Sequence, residues 1–511
     1  MSTVSRLRKN DTATLRRQLR DLGYGQAEVE EPRLFASRFY PVPEHLRALD
    51  PSVVLVVGPR GAGKSELFHA FFRQQDVAKA TQAWAPGPGA AKVHIDGGSW
   101  RTAYPAGTNF PDSRALGGFI QTATQARDLW YGMLVRCLSD EIPDDKKQPL
   151  QGLLEPKAAQ IGAILNALAT LRDEPTVALD AVEEKLEQQG RRLFLGYDEL
   201  DTLGGFDWTL MARVVRGLVA FWSDYSRRWP HIRAKIFLRS DLFRRHAAMG
   251  TADFAKLAAN RAELTWTDAA ILGMLVKRLA NTSNELLEYC RRARISFETK
   301  DELGYVPRIE RPEDAHPLLE RMVGEFMGAG KKKGYVRNWV LDHLRDGNNQ
   351  VAPRTVVRLF EQAATKDSAN RGVRPPHLLH PTALRQALED VSNDHVTQGI
   401  SSEWPWLEGV RTRLLEQRLV PWRRDEVISL LSADWDGSWG STGINDRIRP
   451  PEDESEALLD YLVELGIFRE RRDGRIDVPD LYLYGLGLRR KGGVRVGEKA
   501  RSHGKRRSVT Y

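Results

Sequence analysis

The chain has 511 residues, of which 41% are hydrophobic and 28% charged. This length predicts roughly three domains, and the composition is that of a globular protein with a packed core. No run of 18 uncharged apolar residues occurs, which excludes a transmembrane helix, and the charged N-terminal segment lacks the apolar core of a secretory signal. Only Cys137 and Cys290 are present, which excludes a disulfide scaffold or a zinc module. We therefore expect a cytoplasmic protein with no membrane partner.

The net charge of +8 is concentrated at one end of the sequence. Residues 489–511 contain nine Lys or Arg and one acid, Glu498, so the rest of the chain sums to zero. A segment this basic, without apolar periodicity, predicts a flexible tail that attracts polyanions, nucleic acid first. The alternative is an extension that only increases solubility.

Apolar runs that end in glycine or polar residues alternate with helical patterns over the first half of the chain. The predicted strands are 53–57, 91–98, 191–201, 234–241 and 261–268. Residues 116–190 are mainly helical, and an amphipathic helix follows the third strand. Strands that alternate with helices at this spacing predict a parallel sheet covered on both faces, in the α/β class.

The second half is predicted to be helical from 269 to about 400, with a break at about 366–382. The last apolar region predicts a helix followed by a two-stranded wing that turns at Asp473–Gly474.

The strongest motif is a complete GxxxxGKS between the first predicted strand and an amphipathic helix. Its residues are Gly58, Pro59, Arg60, Gly61, Ala62, Gly63, Lys64 and Ser65. Glycines let backbone N–H groups wrap around phosphate oxygens, Lys64 reaches the β- and γ-phosphates, and Ser65 ligates Mg²⁺. In this context the motif predicts a nucleotide site rather than a chance glycine-rich turn.

An acidic pair follows the third predicted strand, in the segment LFLGYDELD. Asp198 is predicted to hold Mg²⁺ through water, and Glu199 to polarise the attacking water as general base. Asp201 is a less favoured alternative acid, and without the upstream motif the segment would be a solvated acidic turn. Nothing in the sequence explains why Gly196 interrupts this strand.

Three arginines are candidates for contact with nucleotide phosphates. Arg239 ends the strand at 234–241 and either supplies positive charge within the site or pairs with Asp241. Arg261 opens the last strand and either reaches a neighbouring subunit as a finger or caps the strand. Arg354 begins a later helix, where it would sense bound phosphate.

The segments GPRGAGKS, YDELD, KIFLRSD and PRTVVRLF resemble a P-loop ATPase of the AAA+/STAND branch. NRAELTWTDAAILGMLVKRL and VPDLYLYGLGLRRKGG are similar to a bacterial group of stand-alone, KAP-related ATPases found beside anti-phage and mobile-element genes. Over about residues 25–495 the resemblance implies a P-loop NTPase core with a parallel five-stranded sheet. It also implies a helical lid, a C-terminal winged-helix-like domain, and ATP with Mg²⁺. Arg239 stands where many AAA+ proteins have Asn or Thr, which argues against a standard hexameric motor.

The predicted organisation has five parts. They are an N-terminal helical and loop segment (1–50), the ATPase core (51–268) with a helical insertion at about 116–190, the lid (269–366), the winged-helix-like domain (383–488) and the basic tail (489–511).

Five tryptophans lie close together in the C-terminal third: Trp404, Trp406, Trp422, Trp435 and Trp439. We expect them to form the core of a small domain; the alternative is stacking on bases beside Arg423 and Arg424. The winged-helix-like domain and the tail are predicted to contact duplex DNA, or else the domain serves as a protein-docking unit.

The leading hypothesis is an ATP-binding and hydrolysing switch. ATP would close the lid through Arg354 and change contacts with a protein partner, an effector chain or another copy of the chain; Glu199-assisted hydrolysis would reset it. The resemblance implies a prokaryotic defence complex against phage or plasmids, with DNA as a ligand. The alternative is a DNA-remodelling or loading ATPase with an origin-recognition-like layout. A non-hydrolysing scaffold is disfavoured because Lys64, Ser65 and the acidic pair are all intact.

Overall fold

The computed structural model divides into two compact units, Met1–Arg345 with Gln350–Val391, and Asp346–Asn349 with Ser392–Tyr511. The residues that the structure describes are 9–23, 32–73, 98–105, 113–155, 160–203, 207–248, 252–300, 302–402, 404–432, 450, 452 and 454–491.

The first unit is built around a five-stranded parallel sheet. Its strands are β1 Leu55–Gly58, β2 Gly98–Tyr104, β3 Arg192–Tyr197, β4 Ile232–Arg239 and β5 Ala262–Glu263. They lie in the order β2-β3-β4-β1-β5, and every neighbouring pair is parallel. The predicted parallel α/β fold is therefore confirmed. Because parallel strands end at one edge, the loops after β1, β3 and β4 lie together.

Helices surround this sheet and form most of the rest of the first unit. In chain order they are α1 Lys9–Gln18, α2 Pro32–Arg38, α3 Pro43–Leu49, α4 Lys64–Phe72, α5 Ser113–Phe119, α6 Ala123–Cys137, α7 Asp144–Lys147, α8 Gln151–Leu154, α9 Ile161–Thr170, α10 Glu174–Gln188, α11 Trp208–Tyr225, α12 Ser240–Ala248, α13 Ala252–Ala259, α14 Asp268–Thr282, α15 Asn284–Arg292, α16 His316–Val323, α17 Val336–Asp342 and α18 Pro353–Thr365. Helix α19, Pro381–Ser402, follows.

A large apolar core joins the sheet to α6 and α11. On α11, which was predicted to be an amphipathic helix, Val214, Leu218 and Trp222 are buried. The indole of Trp130 on α6 donates a 2.8 Å hydrogen bond to the carbonyl of Val214, so the buried polar atom is satisfied. The helical insertion therefore packs against the sheet as part of one core.

Gly196, unexplained from the sequence, lies where α4 crosses β3. A Cβ built on it would lie 2.6 Å from Phe68 and 2.7 Å from Phe72, both on α4. Only glycine allows this close approach, and the helix that follows the phosphate-binding motif is thereby held tightly on the sheet.

The predicted position of the second strand is wrong. Gly98, expected to end a strand in a turn, begins β2, and the rest of the predicted strand (91–97) lies outside the described residues. The strand continues because Trp100 stacks on Phe194 of β3 with ring centroids 4.2 Å apart, a contact between segments distant in sequence.

The region expected to be helical after 269 also contains an antiparallel hairpin, β6 Phe297–Lys300 and β7 Gly304–Pro307. The side chain of Asn281 on α14 accepts from the backbone N–H of Tyr305 at 2.9 Å and donates to its carbonyl at 2.8 Å. This long-range anchor is what short-range helical periodicity could not reveal.

The second unit is small and mostly helical. Its elements are α20 Leu407–Leu414, α21 Arg424–Leu431, α22 Ser455–Glu464, α23 Asp480–Leu483, β8 Leu419–Val420, β9 Arg469–Glu470, β10 Ile476–Asp477 and β11 Arg489–Arg490. β9 and β10 form the expected antiparallel hairpin after a helix. The assignment as a winged-helix domain stays a prediction.

Three of the five clustered tryptophans belong to the core of this unit. Trp404, Trp406 and Trp422 are buried, as expected, whereas Trp435 and Trp439 lie outside the described residues. Arg489 and Arg490, expected to open a flexible tail, instead pair as β11 with β8. The remainder of the predicted tail beyond residue 491 is also outside the described residues.

Over the described ranges, no helix combines the length and the apolar character that crossing a bilayer requires.

Candidate nucleotide-binding site

The loop from Gly58 to Ser65 joins β1 to α4 at the carboxyl edge of the sheet. Gly61 and Gly63 have φ angles of +73° and +91°. Residues with a side chain rarely adopt such positive φ angles, so these positions favour glycine. Because α4 begins at Lys64, the N–H groups of its first turn face the loop. The ammonium of Lys64 donates to the carbonyls of Gly58 and Pro59 at 3.0 Å each. Arg60, half-buried, lies in the same loop.

Trp266, which the sequence analysis did not single out, holds this loop from the side. Its indole N–H donates a 2.8 Å hydrogen bond to the carbonyl of Ala62. A Cβ built on Gly63 would lie 4.0 Å from the Trp266 ring. The ring in turn meets the buried His45 edge-on, with centroids 6.1 Å apart. The predicted strand at 261–268 contains Trp266, but nothing in its pattern marked the indole as a support of the loop.

Asp198 follows β3 and is only 4% exposed. Its backbone N–H donates to the carbonyl of Tyr104 at 3.0 Å, which continues the pairing with β2. Burial raises the pKa of the Asp198 carboxyl, and the hydrogen bond from Ser65 and the charge of Lys64 oppose this only in part. The structure thus brings Asp198, Ser65 and Lys64 together.

Glu199 has a left-handed backbone, with φ +54° and ψ 28°. A non-glycine residue in this region stores about 1 kcal/mol or more of strain and persists only where its surroundings hold it. Here the hydroxyl of Thr202 donates to the Glu199 carbonyl at 2.8 Å, and the Thr202 backbone N–H donates to it at 3.0 Å. The side chain of Glu199 is half-buried at the same sheet edge.

Arg239 ends β4 directly beside Gly58, which is its partner in the β1–β4 ladder. Its guanidinium is 5% exposed and binds both carboxylate oxygens of Asp241, at 3.1 and 2.6 Å. It also reaches Asp201 at 3.4 Å. The pairing with Asp241, one of the two alternatives for Arg239, is therefore present. A direct role of Arg239 toward nucleotide phosphates stays a prediction.

Arg239 and Asp241 form a buried ion pair in which each charge stabilises the other. Burial by itself raises the pKa of Asp241, but the charge and hydrogen bond of Arg239 outweigh it, and the net pKa is lowered. The pair is thus ionised and fixed, and Asp201 is engaged with Arg239.

Arg354 lies at the phosphate-binding loop although 290 residues separate it from Lys64. A Cβ built on Gly61 would lie 3.1 Å from the Cβ of Ala352 and 3.9 Å from that of Arg354. The exposed Arg354 is in the first turn of α18. The start of α18 therefore borders the loop.

A second connection links the loop to the helical region. Glu66, in the first turn of α4, forms a 2.7 Å ion pair with the buried Arg278 of α14. Arg278 also donates to the carbonyls of Leu22 and Gly23, at 3.3 and 2.7 Å. Through Arg278, a movement of the first turn of α4 would thus alter contacts of α14 and of the N-terminal segment.

Arg261 does not join this group. Ala262 lies beside Val56 in the β1–β5 ladder, so Arg261 is level with Leu55, about 10 Å along the strand from Gly58. Its guanidinium donates to Glu263 at 2.7 Å and lies 5.0 Å from the centre of the Phe243 ring. Its role toward a neighbouring subunit stays a prediction.

The residues at this edge fit a nucleotide triphosphate with Mg²⁺. The glycine conformations and the N-terminal position of the first turn of α4 suit phosphate oxygens, and Lys64 supplies the matching positive charge. A hydroxyl from Ser65 hydrogen-bonded to the buried carboxylate of Asp198 is the oxygen donor set that Mg²⁺ uses beside a phosphate.

Comparisons with known proteins add little. No protein-family model matches the chain, and no curated relative matches it. Among solved structures, the ORC2 protein of Aeropyrum pernix, determined as ADPNP and ADP complexes, is 13% identical. The alignment covers 95% of this chain and 96% of that one, with a TM-score of 0.28. At this TM-score the likeness adds nothing to the geometry above.

Proposed function

We propose that the chain is a Mg²⁺-dependent ATPase that works as a switch. The observation that carries the proposal is the convergence of four features at one sheet edge. They are a glycine-shaped loop with Lys64, the Ser65–Asp198 contact, the strained Glu199 and the start of α18 with Arg354.

The binding roles follow from the chemistry of these groups. The backbone N–H groups of the loop and the Lys64 ammonium bind phosphate oxygens. Ser65 and Asp198 hold Mg²⁺, which when bound neutralises phosphate charge and orients the terminal phosphate. Arg354 adds a positive charge from α18.

Glu199 is the general base in this proposal. Its backbone is fixed by Thr202, which limits the positions the carboxylate can take next to a water in line with the terminal phosphate. Arg239 does not contact the phosphate in this scheme; bound to Asp241 and Asp201, it fixes the charges that surround Glu199.

The switch follows from the way the helical region meets the loop. Arg354 contacts the loop region through α18, and Arg278 is paired with Glu66 on α4. Phosphate binding therefore favours the arrangement of α14 and α18 that contacts the phosphate. Hydrolysis removes the terminal phosphate, and with it the contact that stabilised this arrangement.

Binding of a fluorescent ATP analogue and phosphate release, each with and without Mg²⁺, test the proposal. In Lys64→Ala we expect affinity about tenfold weaker or worse and no turnover, because a charged hydrogen bond to phosphate contributes about 1.5–3 kcal/mol. The matched control is Lys147→Ala, whose ammonium pairs with Asp144 at 2.7 Å on α7. Equal affinity and turnover in Lys64→Ala and wild type would overturn the proposal.

The biological setting is part of the proposal and comes from the motif resemblance. In this proposal the switch belongs to a prokaryotic defence complex and has a protein effector and DNA among its ligands. Protection of cells against phage, lost in Lys64→Ala, is the expected result. Turnover that rises severalfold with duplex DNA would instead favour the DNA-remodelling or loading ATPase.

A further inference from the structure

A second glycine-rich, lysine-containing loop lies in the helical region of the first unit, outside the candidate nucleotide site. Residues 328–334, GAGKKKG, here called the basic loop, separate α16 from α17. Lys331, Lys332 and Lys333 form one turn of 3₁₀ helix and are all exposed.

The base of the basic loop is closed by main-chain hydrogen bonds. Phe326 and Tyr335 form an antiparallel bridge, and the N–H of Met327 donates to the carbonyl of Gly334 at 2.9 Å. Met327 and Val336, one on each side, are fully buried. These contacts fix the two ends of the basic loop. A ligand that binds its tip, residues 328–333, therefore does not have to fix the base of the loop at a cost in entropy.

Arg385 of α19 adds a fourth basic group at this base. Its guanidinium is exposed and donates to the carbonyl of Met327. The basic loop and α19 therefore contribute to one surface from two distant parts of the sequence.

The three lysines differ from other basic side chains at the surface, which form ion pairs. Lys146 pairs with Asp145 at 3.0 Å and Lys147 with Asp144 at 2.7 Å. Arg475 in the β9–β10 hairpin pairs with Asp473 at 2.6 Å. Within the described ranges, by contrast, Lys331, Lys332 and Lys333 have no carboxylate at salt-bridge distance. Adjacent like charges repel one another, so this arrangement favours an external anion.

We propose that the basic loop, with Arg385, binds the phosphate backbone of a nucleic acid. Lysine ammonium groups act as point charges toward phosphate and release condensed counterions, which gives affinity without base specificity. The tip contains only Gly, Ala and Lys. It has no exposed apolar side chain of the kind that anchors a protein in a lipid interface, so a polyphosphate backbone suits it better than a membrane.

The test is fluorescence anisotropy of a labelled short DNA duplex, titrated with full-length protein between about 50 and 200 mM salt. The variant is Lys331→Gln/Lys332→Gln, and the matched control is Lys146→Gln/Lys147→Gln, which removes the same charge elsewhere on the surface. We expect the loop variant to bind about tenfold more weakly, with a salt slope about 2 units shallower, and the control to match wild type. Residues 489–511 are identical in all three proteins, so any contribution from them cancels.

Three outcomes would overturn the proposal. Duplex binding that is unchanged in the loop variant would exclude the basic loop as a contact. An equal loss in both double variants would mean that only net charge matters. Loss of binding to phosphatidylserine vesicles without loss of duplex binding would assign the surface to a membrane. Unfolding midpoints and affinity for the ATP analogue verify folding, and Lys332→Glu repeats the comparison with a single substitution.

Discussion

The tetrapeptide Gly-Ala-Gly-Lys occurs twice in this chain, at residues 61–64 and at 328–331. In the first copy it bends around the start of α4, and Lys64 donates to two carbonyls near the buried Asp198. In the second copy, the lysine of the tetrapeptide is the first residue of a three-residue 3₁₀ turn, and two more lysines follow it. The same four residues thus contribute to two different surfaces.

The difference teaches that the surroundings of such a loop determine its chemistry. The first copy follows a buried parallel strand, is supported by Trp266 and is surrounded by paired buried charges. The second projects from a closed frame with exposed positive charges. A loop of the first kind can position a phosphate for reaction, whereas one of the second kind can attract phosphates but has no group positioned to act on them.

The largest expected effect is a loss of turnover in Glu199→Gln, which separates catalysis from phosphate binding. Glu199→Gln keeps the shape of the side chain but removes the base, so we expect turnover to fall about a thousandfold with nucleotide affinity retained. The matched control is Glu325→Gln at the base of the basic loop, which should leave turnover unchanged. Steady-state phosphate release measures both, and normal turnover in Glu199→Gln would refute its role as base.

Substitution in the buried charge cluster should destabilise the fold. Asp241→Asn leaves the Arg239 guanidinium, 5% exposed, without its main counter-charge, and we expect a loss of about 3 kcal/mol in the free energy of unfolding. The control, Asp145→Asn, removes a solvent-exposed partner of Lys146 and should change stability little. Urea denaturation distinguishes the two; similar stability of both variants would contradict a fixed ion pair at the first loop.

Acid should weaken the support of the first loop. Burial lowers the pKa of His45 from 6.5 to about 3. Between these two pH values the unfolded chain binds a proton on His45 that the folded chain does not bind. The contribution of neutral His45 is present above about pH 6.5 and is lost as pH falls, on the order of 3 kcal/mol by pH 4.

The variant His45→Gln cannot titrate and provides the comparison. It should be less stable than wild type at pH 7, because the stack on Phe39 and the contact with Trp266 are lost. The gap should shrink toward pH 4. Parallel stability curves for the two proteins would show that His45 is not buried in its neutral form.

The smallest predicted effect concerns the indole that supports the first loop. Trp266→Phe keeps an aromatic ring but removes the hydrogen bond to the Ala62 carbonyl, so we expect nucleotide affinity about fivefold weaker. Trp339→Phe, on the helix after the basic loop, is the matched control. Titration with the ATP analogue tests both, and equal affinities would mean that Trp266 is merely a packing residue.

Much of the fold and of the candidate site could be predicted from local sequence. An apolar run ending in GPRGAGKS and another ending in YDELD predict strands whose polar residues face one sheet edge, because strand pattern and glycine requirement are short-range properties. The parallel α/β class followed from the alternation of such strands with helices.

Contacts between distant segments could not be predicted in this way. The start of β2 depended on Trp100 stacking against Phe194, and the β6–β7 hairpin on its anchor at Asn281. The support of the Ala62 carbonyl by Trp266 and the closeness of α18 to Gly61 depend on chain topology. The sequence by itself determined which residues could do phosphate chemistry. Only the tertiary structure decided which of them meet, because burial and pairing are properties of the packed chain.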